Sequence, residues 1–131
     1  MTYHFTALAT LLAVLVYFYS SILVSRARAM FGVKPPATSG NADFERVFRA
    51  QMNTLEWLPI FLPSLWLFAI YVGDGIAAAL GMVWVVGRIL YVHGYAKAAA
   101  KRGPGFYIQA LATIVLWAGS IGAIVWRLAQ A

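Results

Sequence analysis

Between Phe44 and Pro63 the chain reads FERVFRAQMNTLEWLPIFLP, carrying two acids, two arginines, a glutamine and an asparagine into an otherwise apolar run. At 100° per residue, Arg46, Arg49, Asn53 and Glu56 fall within about 80° of one another on a helix. Glu45 lies near that stripe, and Gln51 projects from roughly the opposite side. Charges deep in a bilayer are costly, so ionisable groups kept in an apolar helix face a partner, water or a ligand. An intrahelical ion-pair network at the membrane interface would account for the charges alone. The functional reading is a site that offers guanidinium to a carboxylate, and carboxylate plus amides to an amine. Such a site suits a zwitterionic, peptide-like ligand.

A second stripe follows. Trp84, Arg88, Tyr91 and Tyr95 lie within about 60° on a helix, and Arg102 joins the same line if the helix continues that far. Lys97 and Lys101 fall on the other side and read as orientation charges. Tyr91 and Tyr95 alone fit an interfacial aromatic belt as well as a site; the two arginines on their line favour the site. His4 and His93 belong to opposite membrane faces with no carboxylate at ligand spacing, so no metal centre is expected. There is no phosphate loop, Ser-His-Asp set or glycosidase acid pair. Trp66, Trp117 and Trp126 read as anchors or packing.

These stripes need membrane helices to carry them. Hydrophobic residues make up 63% of the 131 positions and charged ones 11%, with mean hydropathy +0.77. A soluble domain would carry roughly twice that charge. Spans are expected at about Phe5–Val24, Leu55–Val72, Ile76–Tyr95 and Phe106–Trp126, in one domain covering 1–131. Pro35-Pro36 and Ser39-Gly40-Asn41 break the chain after the first span, and Asn41 or Asp43 can cap the second helix. Pro59 and Pro63 should kink it. Gly73-Asp74-Gly75 makes a tight connection, and Lys97 to Gly105 a basic turn. With no cysteine there are no disulfides or thiolate metal sites. The MTYHF start lacks the basic region of a cleavable signal. The net charge of +6 sits at span ends, which argues for membrane orientation and against nucleic acid. Both basic loops, around Arg26, Arg28, Lys34, Arg46 and Arg49 and around Lys97, Lys101 and Arg102, are expected on the cytoplasmic side.

From Arg28 through KPPATSGNADFERVFRAQMNTLEWLPIFL to GRILYVHGYAKAAAKR, the sequence resembles the MAPEG family, the membrane-associated proteins in eicosanoid and glutathione metabolism. It is most similar to the branch of cysteinyl-leukotriene synthases and microsomal glutathione transferases. The resemblance implies an all-α membrane protein, a four-transmembrane-helix bundle assembling as a homotrimer, with glutathione as co-substrate between neighbouring subunits. It implies that Arg49, Asn53, Glu56, Trp57, Tyr91 and Tyr95 hold glutathione, that Arg28 and Gln51 complete the site across the subunit boundary, and that Arg102 activates the thiol. Two departures stand out. Arg28-Ala29 replaces the paired arginines of the leukotriene-synthase pattern, leaving an auxiliary arginine missing or replaced by Arg26. Trp57 stands where that pattern has tyrosine.

The expected activity is conjugation of glutathione thiolate to lipophilic electrophiles arriving from the membrane lipids, with glutathione-dependent reduction of lipid hydroperoxides as a companion reaction. A bacterial inner membrane is the expected location. Two rivals remain at this level. One is a non-enzymatic lipid-binding or scaffold member of the same fold, against which Arg49, Glu56 and Arg102 argue. The other is a small four-span multidrug transporter, for which Glu56 beside arginines is a poor cation site.

Overall fold

Each expected span forms a helix, and each helix outruns its apolar run. The computed structural model describes residues 2–131: α1 (His4–Phe31), α2 (Ala42–Tyr71), α3 (Asp74–Lys97), a 3-10 turn (Ala99–Arg102) and α4 (Gly103–Gln130). All four α-helices are long and apolar enough to cross a membrane. At 1.5 Å per residue α1 is about 42 Å long, more than a hydrocarbon core of about 30 Å. Its last turns therefore stand in the headgroup region.

Local chemistry sets the ends. Gly32 closes α1 in the left-handed conformation at φ 68°, its N–H returning to the Arg28 carbonyl. Asn41, rather than Asp43, caps α2: its Oδ1 accepts from Phe44 N at 2.9 Å, and Asp43 and Glu45 occupy the first turn beside the helix's positive end. The helix runs unbroken through Pro59 and Pro63. Each proline lacks an N–H, so the carbonyls of Leu55 and Pro59 lose their usual helical donors.

α2 and α3 form the middle of the bundle, with α1 and α4 packed on opposite sides of the pair. The core is built around the Phe61 and Trp84 rings, stacked with centroids 4.2 Å apart, with Leu65, Ala77 and Leu116 fully buried around them. α3 and α4 meet backbone to backbone. A Cβ on Gly87 would lie 2.7 Å from Gln109 N, and one on Gly105 would collide with the backbone of Tyr91. Small residues at a membrane helix crossing allow this approach, which supplies dispersion contacts that water exclusion cannot supply in lipid.

At one pole the helix ends are tied by side chains. The Asp74 carboxylate accepts from Thr6 N at 2.8 Å and Phe5 N at 3.2 Å, capping α1 from the start of α3. Arg127 donates to the Tyr71 carbonyl at 3.2 Å and lies over the Tyr71 ring, capping α2 from the end of α4. Asp74 and Arg127 at this pole are thus committed to closure.

Replacing Gly105 with alanine is expected to force α4 away from Tyr91 and destabilise the bundle by about 1–3 kcal/mol, the range for overpacking a tight contact. Thermal unfolding in detergent, compared with Gly122→Ala, where nothing lies within 4 Å of the new methyl, checks this.

Candidate functional site

The opposite pole is where the two polar stripes converge. Asn53 on α2, Tyr91 on α3, Ala100 and Arg102 on the 3-10 turn, and Gly103, Phe106 and Tyr107 at the start of α4 line a cavity of about 530 Å³. α3 does not continue to Arg102. It ends at Lys97, and Ala98 takes an extended conformation before the 3-10 turn. Gly94 permits this fold-back, because any side chain there would strike the Lys101 carbonyl. The turn returns Arg102 to its stripe by another route: its guanidinium lies 5.5 Å from the centre of the Tyr95 ring, and Nη1 donates to the Ala99 carbonyl at 2.5 Å. Tyr95 in turn meets Tyr91 edge-on, with centroids 5.6 Å apart.

Arg49 and Glu56 stand two turns apart on the same helix as Asn53. Their side chains meet at 3.5 Å, each about half exposed. An ion pair this open contributes less than about 1 kcal/mol, so it is readily exchanged for a ligand's own carboxylate and amine. Arg46 leaves the stripe, pairing with Asp43 in the first turn of α2.

Arg88 takes no place in the cavity wall. It is fully buried one turn below, where Nη1 donates to Asn53 Oδ1 at 2.9 Å and approaches Thr54 Oγ1 at 3.5 Å. Its guanidinium lies over Tyr91 at 4.7 Å, Trp84 at 5.6 Å and Trp57 at 5.8 Å. Aromatic faces and the Asn53 amide thus replace part of the water around the cation, a cation–π contact being worth about 2 kcal/mol when desolvated, while its Nε and Nη2 make no hydrogen bond among the described residues. No acid pairs with it: among the described residues the ion pairs are Arg46–Asp43 and Arg49–Glu56. Arg88 is therefore a positioning residue, holding Asn53 and Tyr91 from behind.

Of the nine sequence-predicted residues, Asn53, Tyr91 and Arg102 line the cavity; Arg49, Glu56 and Tyr95 do not, and three more lie elsewhere. Trp57 packs edge-on against Phe106, centroids 5.5 Å apart, and forms a wall between Arg88 and α4. Gln51 turns to α1, donating to Ser21 Oγ at 2.8 Å. Arg28 is tied to the α1–α2 loop, with Nη1 donating to the Ala37 carbonyl at 2.7 Å and its guanidinium 4.9 Å from the Phe44 ring centre. Neither Gln51 nor Arg28 lines the Asn53–Arg102 cavity. Phe106, Tyr107 and Ala100 do line it, and helical periodicity could not find them because they follow the break in α3. Gly94 was the available signal.

Known proteins share much of this sequence. The sequence model of the MAPEG family matches residues 6–122. An uncharacterised protein of Synechocystis is 56% identical over 124 residues, covering 95% of this chain and 90% of the relative. Leukotriene C4 synthase of Rattus norvegicus is 43% identical over 120 residues, covering 91% and 80% respectively. Microsomal glutathione S-transferase 2 of Homo sapiens is 45% identical over 91 residues, 70% of this chain and 62% of that protein.

Because the chain has no cysteine, a single Ala100→Cys substitution reports on the turn selectively. A nitroxide at that position is expected to become markedly more mobile when Gly94→Ala is added, as the turn is pushed off α3; paramagnetic resonance spectra of the two variants in detergent check this.

Proposed function

The chain belongs to the MAPEG family, and on that premise we propose that this integral membrane protein is a glutathione transferase that joins the glutathione thiolate to lipophilic electrophiles. The reading is carried by one observation. Arg102, on a turn folded against Tyr95, lines the same cavity as Asn53 and Tyr91, with the Arg49–Glu56 pair on the Asn53 helix. Glutathione offers two carboxylates, an ammonium group and a thiol. Arg49 supplies a fork for a carboxylate, Glu56 a counter-charge for the ammonium, and Asn53 and the tyrosines neutral hydrogen bonds.

The chemistry requires the thiolate. A free thiol with pKa about 8.5 is mostly protonated at neutral pH, and a nearby guanidinium stabilises the anion by about 1.4 kcal/mol per unit of pKa lowered. Arginine suits the task because it remains charged. Once ionised, the sulfur lone pair forms a carbon–sulfur bond and the bond to the leaving atom breaks with its electron pair. The electrophile reaches the sulfur from the bilayer along the exposed apolar surface of α4, where Tyr107 and Leu111 lie.

Arg28 and Gln51 enter the reading through assembly. As they lie off the cavity of their own subunit, we assign them to the site of a neighbour in a homotrimer, with the basic pole facing the cytoplasm of a bacterial cell.

Arg102→Ala is expected to lower kcat at pH 7 with chlorodinitrobenzene by about 10- to 30-fold, the factor lost when a fully ionised thiol reverts to a pKa near 8.5. The sign with pH follows: the variant's rate rises as pH increases through 8.5, whereas the parent is already ionised and stays flat. The ultraviolet thiolate absorbance of bound glutathione should vanish in parallel. Unchanged kcat and absorbance would remove Arg102 from this role.

The trimeric site has its own test. Gln51→Ala and Asn53→Ala subunits, each raising KM alone, are expected to regain part of the parental KM when co-expressed and isolated as mixed trimers. Sites confined to one subunit would give no recovery, since every chain would then carry a defect.

A further inference from the structure

Arg26 is left outside the candidate site. It lies two residues before Arg28 and so about 200° away around α1. Arg28 is bound to the loop, whereas Arg26 is exposed and takes part in no ion pair among the described residues. It lines a second cavity, of about 330 Å³, formed between α1, the start of α2 and the end of α3. His93 stands on the α3 side, its Nε2 3.5 Å from the Tyr19 hydroxyl. The remaining walls are largely apolar, including Leu23, Phe31 and Val47. One acid, Asp43, also borders the cavity, ion-paired with Arg46.

Depth matters as much as composition. The apolar run from Phe5 to Val24 spans about 30 Å of helix, the thickness of the hydrocarbon core, so Arg26 stands at headgroup level, with Leu23 about one turn deeper and Phe31 farther out. An arginine at that level attracts anionic headgroups, and its fork matches a phosphate. The cavity holds no free carboxylate for the ammonium of a zwitterionic headgroup. We infer that this cavity binds an anionic phospholipid of the surrounding bilayer, with the phosphate on Arg26, the headgroup reaching outward past Val47 and Phe31, and the start of an acyl chain descending past Leu23 and the His93–Tyr19 pair. The site is separate from the Arg102 cavity and does not depend on the transferase reading.

Native mass spectrometry of the full-length protein, released from vesicles of equal phosphatidylglycerol and phosphatidylcholine, tests it. One phosphatidylglycerol per chain is expected to be retained in preference to phosphatidylcholine. Arg26→Gln should weaken that retention about fivefold, the factor for about 1 kcal/mol per basic residue at an anionic surface. Ala96→Phe, which fills the cavity without changing charge, should weaken it as well. Lys97→Gln, a charge at the same membrane level but off the cavity wall, should leave it unchanged. Equal loss with Lys97→Gln, equal retention of phosphatidylcholine, full retention in Ala96→Phe, or displacement of the lipid by inorganic phosphate would each overturn the proposal.

Discussion

A guanidinium enclosed in a membrane bundle must find groups that replace water, and Arg88 imposes that demand on the inner half of this protein. It recruits Asn53 and Thr54 from α2, and the faces of Trp57, Trp84 and Tyr91. Sliding α2 against α3 by one turn would take Asn53 away from Arg88 and leave a buried charge without its amide, which is strongly unfavourable in low dielectric. The register of the central helix pair is thereby tied to one cation. Asn53 and Tyr91 also border the cavity, so the interaction that aligns the helices orients the side chains a ligand would meet.

The two poles of the bundle use polar residues differently. At one, Asp74 and Arg127 spend their charges on helix ends, where unsatisfied backbone groups need partners. At the other, the Arg49–Glu56 pair is open and Arg102 is exposed on its turn. Charges that close a structure are satisfied in place; charges that can bind something else remain exchangeable. The same contrast separates Arg28, tied to its loop, from Arg26, which faces a cavity and makes no ion pair among the described residues.

Much of this was legible in the residues. Four apolar runs, the Pro35-Pro36 break, the Asn41 cap and the Gly73-Asp74-Gly75 connection announce the helices because span length and capping are local properties. The α2 stripe of Arg49, Asn53 and Glu56 was also readable, since a continuous helix converts spacing directly into direction. Periodicity failed at the start of that stripe and within the next. Arg46 turned back to Asp43, and Arg88, though in phase with Tyr91 and Tyr95, proved to be buried support. Phase around a helix gives direction, but the neighbours that cover a residue come from other segments.

What the chain determined by itself is therefore its class: a membrane-spanning, all-helical bundle with a polar, arginine-bearing stripe on each of two helices. Hydropathy and helical repeat act over a few residues and need no partner to be expressed. Tertiary structure decided which of those residues share a cavity. It brought Arg102 onto Tyr95 through a broken helix, which only the close approach of Lys101 to Gly94 permits, and it set Tyr107 and Phe106 beside Asn53. It also turned Gln51 toward Ser21 and gave Arg26 a cavity of its own. Each of these depends on contacts between distant segments, fixed by packing and by the need to satisfy buried polar groups, and no spacing along one helix encodes them.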